Sequence, residues 1–143
     1  MSTAKEKNFE LTIPSSLEQI EAVEELAENA ADQMGFSEDE RDSLAIAVTE
    51  AVNNAILHGN GQDASKKVRI KFLFQESQLT VRIKDEGVGF NPDQVSDPLA
   101  PENLLKESGR GIFILSSLMD DVRFEFHDDG TEIILVKEKS GNK

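Results

Sequence analysis

From Val68 to Ile83 apolar and polar residues change places at nearly every step: Val68, Ile70, Phe72 and Phe74 before a Gln75–Gln78 break, then Leu79, Val81 and Ile83 after it. A period of two puts these side chains on one face of an extended chain, so the segment predicts a half-buried β-hairpin. Phe9, Leu11 and Ile13 alternate in the same way and Pro14 ends the pattern, which predicts a first strand at 8–13. Val122–His127 and Thr131–Lys137 predict a second hairpin, turning through Asp128-Asp-Gly130. Between the first strand and the first hairpin the period changes. Leu17, Ile20, Val23, Leu26, Ala27, Ala30 and Met34 recur at helical spacing up to Gly35, behind a Ser15/Glu18 capping box. A second capping box, Ser37 with Glu40, opens another helix that runs to His58 and stops at Gly59. Gly111 to Met119 predicts a short apolar helix. Five strands joined mostly as hairpins imply an α+β fold in two layers, a mostly antiparallel five-stranded sheet with helices on one face.

The chain has 143 residues, enough for one core, and is expected to be a single domain over 1–143 with its ordered part at about 8–138. With no Cys, disulfides and thiolate metal sites are excluded, and the two isolated histidines, His58 and His127, do not suggest zinc. His58 reads as a helix cap and His127 as a surface residue. No apolar run approaches a membrane span and the start does not resemble a signal peptide, so a cytoplasmic protein is expected. Fifteen basic against 28 acidic residues give a net charge of −13, which repels nucleic acid and anionic lipid. Such a charge serves solubility, or a docking surface for a basic protein.

Three short motifs follow one another along this framework. Glu50-x-x-x-Asn54 sets a carboxylate and an amide together at the edge of the apolar stripe Leu44, Ala47, Val48, Ala51 and Ala55. Ile46 and Leu57 lie beyond Glu50, so the carboxylate is expected between two apolar surfaces, an environment that suits a general base. A solvent-facing pair is the plainer alternative. Asp85 continues the parity of Leu79, Val81 and Ile83 and should point inward, with Gly87 and Gly89 bare beside it so that a flat ring can approach the backbone. An inward carboxylate can accept a hydrogen bond from an exocyclic amine; an aspartate turning the chain after a strand is the plainer alternative. Gly109-Arg110-Gly111 precedes the short apolar helix, where free amides and an arginine can hold phosphate, or simply form a turn. Asn91 to Glu107 carries three prolines with little periodicity and is expected to act as a mobile lid. There is no P-loop motif and no Ser/His/Asp or Cys/His set of usable order.

Thr49-Glu-Ala-Val-Asn-Asn-Ala-Ile-Leu-His-Gly59, Asp85-Glu-Gly-Val-Gly-Phe90 and Ser108-Gly-Arg-Gly-Ile112 resemble the N, G1 and G2 boxes of the GHKL, or Bergerat-fold, ATPases. Within that superfamily the chain is most similar to the stand-alone anti-sigma factors that are also serine protein kinases. The resemblance covers nearly everything from Phe9 to Val136. It implies ATP and Mg²⁺ as cofactors, with Glu50 polarising the attacking hydroxyl and Asn54 holding the metal against the triphosphate. It further implies that Asp85 binds the adenine amine, that Gly87 and Gly89 shape the pocket, and that Gly109, Arg110 and Gly111 line the phosphates under the 91–107 lid. Thr131, on the parity of Ile133 and Leu135, matches the residue that completes the adenine pocket. The partners implied are an anti-anti-sigma protein offering a serine, a sigma factor and a second copy of the chain. An ATP-gated module that sequesters a regulatory protein without significant phosphotransfer is the alternative.

Overall fold

The computed structural model describes residues 7–61, 63, 65–87 and 114–140. Five strands, β1 (Lys7–Pro14), β2 (Lys67–Phe74), β3 (Gln78–Lys84), β4 (Asp121–His127) and β5 (Gly130–Glu138), form one sheet in the order β1-β2-β3-β5-β4. Every neighbouring pair is antiparallel. Both expected hairpins form, β2 with β3 through the turn at Gln75, whose N–H donates to the Gln78 carbonyl, and β4 with β5 through Asp128–Asp129. Since sheet faces alternate, Val68, Ile70 and Phe72 on β2 and Leu79, Val81 and Ile83 on β3 are all buried against the helices.

A 3₁₀ turn at Leu17–Gln19 leads into α1 (Ile20–Met34), which ends on Gly35 in the left-handed conformation, φ 76°. There glycine is the residue that carries no Cβ penalty. Helix α2 (Glu38–Asn54) follows almost at once and continues as a π-helical turn, Ala55–Gly59. The two helices pack on each other, and α2 lies on β3 and β5. A short helix α3 occupies 114–118, with Leu115 fully buried; residues 111–113 of the expected helix lie outside the described part. No helix among the described residues is long and apolar enough to cross a membrane.

Two local expectations meet different outcomes. The Ser37/Glu40 capping box is complete: the Ser37 hydroxyl accepts from the Glu40 N–H and the Glu40 carboxylate from the Ser37 N–H at 2.7 Å. The Ser15/Glu18 box does not form. Ser15 is buried and its hydroxyl donates to the Lys66 carbonyl at 2.8 Å, so the cap passes to Ser16, which accepts from the Glu18 N–H. Beyond the last strand, the Ser140 N–H donates to the other oxygen of Glu40 at 2.7 Å, tying the chain end to the start of α2.

The outer face of the sheet carries a set of ion pairs. Arg82 donates from Nε to Glu132 at 2.9 Å and its Nη2 lies 3.4 Å from Glu125, while Lys84 pairs with Asp129 and Arg69 with Glu10.

Candidate active site

Three polar side chains among the described residues are buried, Ser15, Asn60 and Asp85, and hydrogen bonds connect their neighbourhoods into one network. Asn60 stands directly after the π-helical turn, its N–H donating to the Ala55 carbonyl at 2.8 Å. Its Nδ2 donates to the Ser15 hydroxyl at 2.6 Å and to the Lys67 carbonyl at 3.0 Å, and its Oδ1 accepts from the Glu86 N–H at 2.7 Å. The amide therefore uses both donors and its acceptor, the condition under which a buried amide stabilises a fold. It ties the end of the α2 segment to the start of β2 and to the residue after Asp85. The Glu86 carboxylate adds a further tie by accepting from the Lys67 N–H at 2.9 Å.

Asp85 sits just past the end of β3, 6% exposed, pointing inward as its parity with Ile83 predicts. Its Oδ1 accepts from the Gly87 N–H at 3.0 Å and from the Thr131 N–H at 2.9 Å, and its own N–H donates to the Thr131 carbonyl at 3.0 Å. Hydrogen bonds to a charged acceptor contribute about 1.5–3 kcal/mol each, which offsets the cost of burying a carboxylate. Both side-chain bonds fall on the same oxygen, Oδ1. The second oxygen is turned by that arrangement in a fixed direction. Gly130 makes the close approach possible: it adopts φ +150°, and a Cβ there would run into the carbonyl oxygen of Asp85.

On α2 the stripe Leu44, Ala47, Val48, Ala51 and Ala55 is buried, as the helical spacing predicts. Glu50 and Asn54 lie one turn apart at its edge, both half-buried, and Asn54 is the last residue before the helix widens into the π turn. Ile46, one turn before Glu50, is half exposed, and Leu57 is partly buried. A carboxylate followed by an amide at i+4 gives one helix edge a proton acceptor and a neutral oxygen ligand.

The structure thus brings Asp85, Gly87 and Thr131 into direct hydrogen-bonded contact and sets Glu50 and Asn54 on the helix that packs against β3 and β5. Gly89, Gly109, Arg110, Gly111 and the 91–107 lid lie outside the described residues, as does the side chain of His58. Asn60 was not singled out by sequence reasoning, and Ser15 was read there only as a helix cap. The one local hint at Asn60 is a polar residue next to Gly59, where the helical pattern stops, and its partners at Ser15 and Glu86 are remote in the chain.

Comparison with known proteins bears on the family and the fold. The profile of the histidine kinase-like ATPase domain matches residues 13–137. A serine-protein kinase RsbW of Bacillus subtilis (strain 168) is 32% identical over 141 residues, covering 94% of this chain and 88% of that protein. A serine-protein kinase RsbW of Bacillus mycoides (strain KBAB4) is 28% identical over 139 residues, with 93% and 86% covered. Among solved structures, the RsbU and RsbW domains of Rv1364c from Mycobacterium tuberculosis superpose with a TM-score of 0.69 at 14% identity, covering 93% of this chain and 32% of that one. The histidine kinase domain of a blue-light activated histidine kinase from Erythrobacter litoralis EL346 gives a TM-score of 0.56 at 17% identity, covering 89% of this chain and 62% of that one. These two likenesses bear on the fold, and they agree with the α+β architecture described above.

Proposed function

Because the chain belongs to the histidine kinase-like ATPase domain family, we propose that it is a single-domain ATP-dependent serine protein kinase and anti-sigma factor. In this reading it phosphorylates a serine of an anti-anti-sigma protein and sequesters a sigma factor, working in the cytoplasm as a homodimer. The observation that carries the reading is the Asp85 carboxylate, buried, seated on one oxygen by two backbone amides, and linked through Asn60 to the chain leaving α2. A fixed inward acceptor beside a bare glycine suits the exocyclic amine of adenine. The likeness to serine-protein kinases over most of the chain supports phosphotransfer as the reaction and a protein serine as the acceptor.

Asp85 would accept from the adenine amine through Oδ2 while Oδ1 stays committed to Gly87 and Thr131. Gly87 and Gly89 would keep side chains out of the ring's path, and Thr131 would close the pocket from β5. Gly109, Arg110 and Gly111 would contribute amides and a guanidinium to the phosphates. The donor set at Asn54 fits Mg²⁺, a hard cation that takes neutral oxygen ligands alongside phosphate oxygens and water, and the bound ion would neutralise phosphate charge. Glu50 takes the proton from the acceptor serine as the bond from its oxygen to the γ-phosphorus forms. The bond from that phosphorus to the bridging oxygen breaks, and ADP leaves with the electron pair.

The test is transfer of label from γ-labelled ATP, with Mg²⁺, to serine-bearing regulatory proteins from the same genome. Glu50→Gln is expected to keep ATP binding and to lose about 10²–10⁴-fold in transfer rate, the usual contribution of a general base. Complex formation that depends on ATP but is indifferent to Glu50→Gln, with no labelled partner, would replace the kinase with an ATP-gated sequestering module.

A further inference from the structure

The outer face of the β4–β5 hairpin carries a set of groups that the nucleotide site does not use. Glu125 on β4 and Glu132 on β5 are directly paired across the two strands, and His127 stands two residues along β4 on the same face. Like charges opposite one another destabilise a sheet, and the single positive charge of Arg82 balances only one of the two carboxylates. The His127 side chain as a whole is 39% exposed, while its Nε2 atom is shielded from solvent and makes no hydrogen bond of good geometry among the described residues. It faces Glu125 Oε1 at 3.5 Å and Glu132 Oε1 at 3.4 Å, long for hydrogen bonds. They are ion-pair distances if the imidazole is protonated, and they are also close to the spacing of ligand atoms around a shared cation. Around a tetrahedral zinc ion with bonds of about 2.0–2.1 Å, adjacent ligand atoms stand about 3.3–3.4 Å apart. All three ligand atoms lie within 4.8 Å of one another.

We propose that Glu125, His127 and Glu132 form a binding site for a divalent transition cation of the zinc type, bridging β4 to β5. One imidazole and two carboxylates are a donor set that zinc accepts, with a water in the fourth position. Arg82 is the competitor, because its Nη2 lies 3.4 Å from Glu125 Oε1 and 3.3 Å from Glu132 Oε1. The cation displaces that end of the guanidinium, while the bond from Nε to Glu132 Oε2 uses the oxygen not facing His127. The site is independent of ATP, and Thr131, the neighbour of Glu132, points to the opposite face of the same strand.

Titration of the 143-residue chain with zinc chloride in the absence of nucleotide, followed by calorimetry, reads the proposal directly. Wild type is expected to bind one ion per chain, His127→Ala to weaken binding about tenfold or more, and Arg82→Gln to tighten it. Cobalt(II) added in place of zinc should give the visible absorption of a tetrahedral complex in wild type and lose it in His127→Ala. Circular dichroism on each variant separates a lost ligand from a lost fold, and Glu125→Gln supplies a second ligand deletion at an exposed position. Binding that survives His127→Ala in a folded protein, binding abolished instead by His58→Ala, or no heat at all in wild type would each overturn the assignment.

Discussion

Asp85 concentrates the recognition chemistry of this chain in one side chain, and its seat separates two roles that a carboxylate usually mixes. Oδ1 is fully engaged with Gly87 and Thr131, so replacing Oδ2 alone tests the proposed adenine contact without unseating the residue. Asp85→Asn can keep its oxygen on the two amides and present an NH₂ group where the acceptor stood. ATP affinity is then expected to fall by about 1–3 kcal/mol, roughly five- to 150-fold, with little change in melting temperature. Calorimetric titration with ATP beside a thermal melt checks both halves, and unchanged affinity would remove the adenine assignment. Parity along β3 was enough to aim this residue inward. Its partners could not be read, because a backbone amide at Thr131 carries no side-chain signature and lies 46 positions away.

The elements around the site are held by few but specific ties. Asn60 satisfies both its donors and its acceptor across three segments, and Asn60→Ala leaves the Lys67 carbonyl and the Glu86 N–H without those partners. A loss of about 2–4 kcal/mol in unfolding free energy is expected, from the unsatisfied groups and the vacated volume together, measured by urea denaturation. Ser15→Ala removes the bond from Asn60 and the bond to the Lys66 carbonyl, but it vacates less volume and should cost less. At the start of α2, Glu40 is opposed by burial, but the hydrogen bonds from Ser37 and Ser140 prevail and bring its carboxyl to about 2 from 4.5. A lowered folded value means that the stabilisation is fully present above pH 4.5 and is lost as pH falls from there toward about 2. The stability difference between wild type and Glu40→Gln is therefore expected to be constant from pH 5 to 7 and to shrink below about pH 4.5 in acid unfolding curves. Local patterns named the helices and the Ser37/Glu40 box because their determinants lie within one turn. The first cap moved to Ser16 because a buried contact to Lys66 and Asn60 claimed Ser15, and no short window contains that competition.

At the scale of the whole molecule, strict alternation on β2 and β3 made the hairpin and its buried face legible, and the hairpin turn at Asp128–Asp129 did the same for β4 and β5. The strand order was not legible, since placing β5 between β3 and β4 depends on pairings across the chain. The net charge of −13 acts at this scale too. If the proposed protein partner is basic, complex affinity should fall progressively between roughly 50 and 500 mM salt as screening shortens the reach of surface charge. Affinity indifferent to salt in a pull-down or calorimetric series would assign the acidity to solubility alone. Main-chain amides rather than side chains hold the Asp85 carboxylate in place. Drift in the identity of nearly every neighbouring residue leaves such a mount untouched. Its weak points are a proline at 87 or 131, which deletes an amide, and any side chain at Gly130, for which there is no room.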